Sequence, residues 1–212
     1  PMTTPTPEIE LVAVEWPKGA WVRHPVTLSL RMEPVMADFE EVWVEWRMGD
    51  THLGRRRLLD DGRAEDRVAR DGRMDVTWTP EAVGTLMVTA WIEVGDEVRS
   101  RWNGRVEVDE MPSLVLQAPE TGETWRVGQE MTVLADWKVD SALVSEGTPM
   151  TVTLTDPEGQ IIGLHRGSVA QSLVMTAPTQ SGSYTVTVKA GGALTGYPDY
   201  DATVRGGIRV RK

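Results

Sequence analysis

Residues 76–94, VTWTPEAVGTLMVTAWIEV, carry the clearest pattern in the chain. Leu86, Val88, Ala90 and Ile92 occupy one side of an alternation whose other side is Met87, Thr89, Trp91 and Glu93. Successive side chains leave a strand on opposite faces, so a period of two marks a strand with one face buried. The pattern returns ninety-eight residues later, within 174–190. There Pro178, Gly182, Tyr184 and Val186 stand where Pro80, Gly84, Leu86 and Val88 stood. Two copies of one all-β domain are expected, at 8–110 and 111–212, after a Thr/Pro tail at 1–7.

The same alternation places the other strands. In the first half they fall at 9–16, 26–32, 42–48, 53–59 and 97–108. Val42, Val44, Trp46 and Met48 face inward in the third of these, and Trp43, Glu45 and Arg47 face outward. The second half repeats the plan at 114–118, 131–137, 150–154, 161–165, 173–175, 184–188 and 202–210. Pro17 and Gly19 interrupt the first strand, and Gly122 does the same in the second half. Asp156-Pro157-Glu158-Gly159 has the residues of a tight turn. Gly206-Gly207 predicts a bulge in the last strand. A turn near 35–41 is the only helical signal. Many short strands separated by Gly and Pro predict two tandem antiparallel β-sandwiches.

Composition narrows the partners more than the fold. The chain has 212 residues and no cysteine, so each sandwich of about 100 residues must be held by its core alone. A net charge of −10 argues against nucleic acid, whose phosphates require a basic field. No apolar run approaches the roughly 20 residues of a spanning helix, so the chain is not expected to span a membrane. No charged start followed by an apolar stretch is visible, and Pro1 leaves export open. Tryptophan is abundant, at 9 residues against 1 Phe and 3 Tyr.

The Pro-x-x-x-Gly-x-Leu/Tyr-x-Val motif at 80–88 and 178–186 resembles bacterial immunoglobulin-like (Ig-like) and fibronectin-type-III-like domains. That resemblance covers nearly the whole chain. It implies tandem Ig-like sandwiches of an exported surface protein, with Trp46 as the central aromatic between the sheets. Asp60-Asp61-Gly62, Asp66 and Asp71-Gly72 also resemble a loop common in exported Ig-like domains. The fold is nearly silent on function, because sandwiches host many roles.

Candidate chemistry is sparse. The 60–75 loop offers Asp60, Asp61, Glu65, Asp66, Asp71 and Asp75, enough oxygen for calcium. Arg63, Arg67, Arg70 and Arg73 are interleaved, however, and the expected outcome is a self-neutralised turn. Calcium at Asp60, Asp61, Asp66 and Asp71 is the alternative, and no other cofactor is expected. His24, His52 and His165 are scattered, and no serine sits in a nucleophile motif, so no enzyme is expected. Arg55-Arg56-Arg57 alternates between faces and is expected to be a solvated strand.

Trp46, Trp78 and Trp137 fit inward phases. Trp16, Trp21, Trp43, Trp91, Trp102 and Trp125 are out of phase or near strand ends. Of these, Trp43, Trp91, Trp102 and Trp125 are the candidates for an exposed interface or ligand surface. The expected role is a non-catalytic, extracellular or cell-surface structural or adhesive unit with protein partners or self-assembly. Head-to-tail contact would join Arg205, Arg209 and Arg211 of the last strand to Glu8, Glu10 and Glu15 of the first. A carbohydrate-binding pair using exposed tryptophan and a virion fibre or decoration protein are the alternatives.

Overall fold

The computed structural model describes residues 10–33, 41–58, 60, 71–94, 97–138, 144 and 147–212. The Thr/Pro tail, the turn expected near 35–41 up to residue 40, and Asp61, Glu65 and Asp66 lie outside the described residues. The chain divides into two compact units, one of Pro1–Glu110 with Gly196–Pro198 and one of Met111–Thr195 with Asp199–Lys212.

The first unit begins with β1 (Glu10–Glu15), β2 (Gly19–Trp21), β3 (Val26–Glu33) and β4 (Glu41–Met48). It continues with β5 (Thr51–Leu58), β6 (Arg73–Trp78), β7 (Gly84–Val94) and β8 (Glu97–Asp109). These form a three-stranded sheet in the order β1-β3-β6 and a five-stranded sheet in the order β2-β8-β7-β4-β5. The second unit begins with β9 (Leu114–Ala118), β10 (Thr124–Arg126), β11 (Glu130–Trp137) and β12 (Pro149–Thr155). Its later strands are β13 (Ile161–Ser168), β14 (Leu173–Thr176), β15 (Gly182–Gly192) and β16 (Tyr200–Arg211). Their sheets run β14-β11-β9 and β10-β16-β15-β12-β13. The two units therefore share one connectivity, and each is an Ig-like sandwich.

In each unit the chain leaves the smaller sheet after its first strand and joins the larger one. Pro17 lies in the first crossing and Pro119 in the second. A proline has no N–H to donate to a ladder, so the first strand stops there. The short β2 and β10 then pair in parallel with β8 and β16, while the other pairings are antiparallel. The end of the final strand is consequently covered, because Arg209, Val210 and Arg211 pair with Thr124, Trp125 and Arg126.

Inward phases of the central strands agree with the alternation. Val42, Val44 and Trp46 of β4 are buried against Leu28, Leu30, Met74, Val76, Leu86 and Val88. Met131, Val133, Val152, Leu154, Val186 and Ile208 build the second core. Each such Val, Leu or Ile contributes about 1.5–3 kcal/mol by leaving water. The corner before β15 is fixed by Tyr184, whose hydroxyl donates to the Gln180 carbonyl at 2.9 Å. This is the tyrosine corner of Ig-like sandwiches, and Leu86 takes its place in the first unit.

The bulge expected at Gly206-Gly207 is absent. The β15–β16 register runs without a shift through Val186↔Gly206 and Thr185↔Gly207. Gly206 serves close approach instead, since a Cβ there would lie 2.5 Å from Leu116 Cδ2. Gly104 occupies the matching position opposite Val88 in β8. A Cβ on Gly104 would strike the rings of Trp102 and Trp16, at 2.2 and 2.6 Å. Both glycines let a bulky neighbour cover the last strand.

Candidate interaction face

The outer face of the first unit's five-stranded sheet is built by four strands whose inward residues are already committed to the core. Alternation in β4 sends Glu41, Trp43, Glu45 and Arg47 outward, opposite Val42, Val44 and Trp46. Cross-strand register then assembles rows. Arg57, Trp43, Trp91 and Arg101 form one row across β5, β4, β7 and β8. Arg55, Glu45, Thr89 and Asn103 form the next, and His52, Arg47, Met87 and Arg105 the third. Directly opposite residues on a sheet are close enough to interact, so these rows set the chemistry of the face.

Arg55 sits between the two tryptophans. Its guanidinium carbon lies 4.0 Å from the Trp43 ring centroid and 4.8 Å from that of Trp91. Each such cation–π contact contributes about 0.5–1 kcal/mol at an exposed site. Carboxylates hold the rest of the group in place. Trp43 Nε1 donates to Glu41 at 3.2 Å, and Trp91 Nε1 donates to Glu93 at 3.4 Å. Arg55 reaches Glu93 at 3.6 Å, and Arg57 reaches Glu41 at 3.1 Å. Arg47 pairs with Glu45. Thr89 donates to Asn103 Oδ1 at 2.9 Å.

Beside this ladder lies a shallow hollow of about 430 Å³, lined by Glu45, Arg47, Arg55, Thr89, Trp91 and Arg101. No described carboxylate is within ion-pair distance of Arg101. Three arginines against one glutamate make the hollow locally positive on a chain of net charge −10.

The structure brings two of the four candidate tryptophans together and separates the others. Trp43 and Trp91 are half-buried neighbours on the outer face. Trp102 instead faces inward from β8, opposite Ala90, and packs on the first core. Its ring meets Trp16 edge-on, with centroids 4.2 Å apart. Trp125 packs on the second core, with its Nε1 shielded from solvent and unpaired. Trp21 is fully buried. The strand ends of a sandwich still need covering, and the large indole rings cover them. Trp78 and Trp137 lie partly buried against the two cores.

The candidate metal ligands within the described residues hold backbone. Asp60 accepts from the amides of Asp71 and Gly72, at 3.2 and 2.7 Å. Asp71 accepts from the Arg73 amide at 2.8 Å. Arg73 bridges Asp75 at 3.1 Å and Glu15 at 3.2 Å. The hydrogen bond to Asp75 chiefly holds the Arg73 guanidinium above its ordinary pKa. No group of three His, Asp or Glu placed to hold a metal occurs among the described residues.

Arg101 was not singled out in the sequence, and Arg55 was read there only as part of a solvated strand. Their outward parity was readable, but the neighbours that give it meaning come from the non-local β4–β7 pairing.

No protein-family model matches the sequence, and no curated protein matches it either. Solved structures do match. The three N-terminal domains of the Highly Immunogenic Outer Capsid protein (Hoc) of bacteriophage RB49 align with a TM-score of 0.54 and 14% identity, over 96% of this chain and 69% of that one. The likeness is one of fold. Fibronectin(III)-like modules of Clostridium thermocellum CbhA align at 18% identity and a TM-score of 0.37, over 94% of this chain and 92% of theirs. Trypsin-activated alpha-2-macroglobulin from Escherichia coli aligns at 13% identity and a TM-score of 0.39, over 95% of this chain and 18% of its own. No helix among the described residues is long and apolar enough to cross a membrane.

Proposed function

We propose that the chain is a non-catalytic structural or adhesive module that docks on an acidic protein surface through the outer face of β8-β7-β4-β5. It would act as one unit of a larger extracellular, cell-surface or virion-surface assembly. The observation that carries this is the Trp43–Arg55–Trp91 group with Arg101 lining the hollow beside it. Tryptophan and arginine dominate the binding energy of protein interfaces. Here both indoles are held by carboxylates and by Arg55 before any partner arrives, which lowers the ordering cost of docking. A locally positive hollow on an acidic chain favours partners that present carboxylates. The fold shared with an outer capsid protein supports the virion-surface form of this reading. Sugar stacking is less favoured, because the Arg55 guanidinium already lies over both rings.

An array carrying Asp/Glu-rich peptides, matched Lys/Arg-rich peptides and glycans tests it with the full chain as probe. Acid-rich peptides should bind, more weakly at high salt. Arg101→Ala or Trp91→Ala should each weaken binding at least about ten-fold, as expected of hot-spot residues. Binding to glycans alone would move the face to carbohydrate recognition. Indifference to peptide charge would overturn the acidic-partner reading.

A further inference from the structure

The larger sheet of the second unit ends on a strand with exposed apolar residues. β13 is the last strand of the five-stranded sheet and pairs, among the described residues, only with β12. Ile161, Ile162 and Leu164 on it are 65, 48 and 61% exposed. Soluble proteins normally guard such edges with charge, proline or a bulge, because the unpaired backbone invites another strand. The first unit does so at the corresponding strand, where β5 carries Arg55, Arg56 and Arg57 in succession. In β13 the same edge reads IIGLHRGS, with one arginine and no carboxylate, and its bulge is confined to Ile162, so Gly163–Ser168 stays regular.

We propose that β13 pairs with β13 of a second copy of this chain, joining the two five-stranded sheets across a two-fold axis at Leu164. Self-complementarity selects this occupant. Residues facing each other across an antiparallel pair must project from the same side of the sheet, so the axis passes through a residue and not between two. An axis at Leu164 sets Leu164 against its copy and Gly163 against His165, with Ile162, the extra residue of the bulge, beside Arg166. The exposed leucines meet at the centre, the arginine stem lies along isoleucine, and the two Arg166 charges stay apart. An axis at His165 would set histidine against histidine and Leu164 against Arg166, with less apolar surface joined. The contact is isologous and closes as a dimer, so it does not propagate into a fibre. It is separate from the docking face of the first unit.

Because the chain has no cysteine, single thiols report the pairing cleanly. Leu164→Cys should form a disulfide-linked dimer about ten-fold faster than Leu53→Cys or Ile161→Cys, since paired strands hold opposed Cβ atoms about 4.5–5.5 Å apart. Leu53, 43% exposed on β5, is the control for a solvent-facing leucine. Sedimentation of the cysteine-free chain should show mass rising with concentration, abolished by Leu164→Lys and retained in Leu53→Lys. Circular dichroism melts check that both lysine variants fold. A monomer at every concentration up to about 1 mM would overturn self-pairing and leave the edge to a strand of another protein. Thiol coupling of Leu164→Cys no faster than that of the controls would do the same.

Discussion

The two sandwiches share a connectivity strand for strand, yet their larger sheets present different chemistry. On the first, β4, β5, β7 and β8 display Trp43, Trp91 and a set of arginines and glutamates in rows. On the second, the matching positions of the two central strands hold Thr151, Thr153 and Thr155 on β12 beside Thr185 and Thr187 on β15, with Lys189 where Trp91 stands. The edges differ in the opposite sense, charged on β5 and apolar on β13. Inward residues must fill a closed volume at near-crystalline density, so both copies keep them apolar. Outward residues answer only to solvent and partners, and there the copies have diverged. Function in a repeated fold is thus sought on the faces the core does not constrain.

The largest effect that can break this contrast lies inside the sandwich. Trp46→Ala should cost about 3–5 kcal/mol, and Leu154→Ala, at the matching place in β12, about 2–5 kcal/mol. Trp43→Ala, one residue from Trp46 but on the outer face, should cost under about 1.5 kcal/mol. Denaturant titration measures all three, and equal losses for Trp43 and Trp46 would erase the distinction between core and face.

A smaller effect sharpens it at adjacent glycines. Gly206→Ala should cost about 1–3 kcal/mol, because its methyl group would overlap Leu116. Gly207→Ala meets nothing within 4 Å and should change stability by less than about 0.5 kcal/mol. Reversed values would restore the bulge that the register denies. The smallest effect concerns the long connection before β6, which has only a short counterpart before β14. Chelation with EDTA should leave the melting temperature unchanged, since Asp60 and Asp71 already serve backbone amides and Arg73 neutralises Asp75. A lowered melting temperature would assign the loop a divalent ion.

Much of the fold was legible because burial writes itself into a period of two. The inward set of β4 followed from alternation, the Pro80 and Pro178 corners from the repeat, and the central place of Trp46 from the resemblance to Ig-like domains. The fate of Trp102 was obscured, although it shares the phase of buried Val106 and Val108 and lies opposite buried Ala90. Trp125 was likewise obscured, since β10 is three residues long and too short to show a period. Gly206 looked like a bulge because a glycine in a strand has the same appearance whether it bends the chain or admits a neighbour.

Sequence alone determined that this chain makes strands, which side of each faces a core, and that the plan occurs twice. Those are local consequences of hydrophobic burial acting through backbone geometry. Only the tertiary structure decided which outward residues become neighbours. Trp43 and Trp91 lie far apart along the chain, and the β4–β7 pairing alone sets them side by side with Arg55 over both rings. Pairing of distant strands is set by the whole sandwich closing on its core, and no local stretch of sequence carries that information.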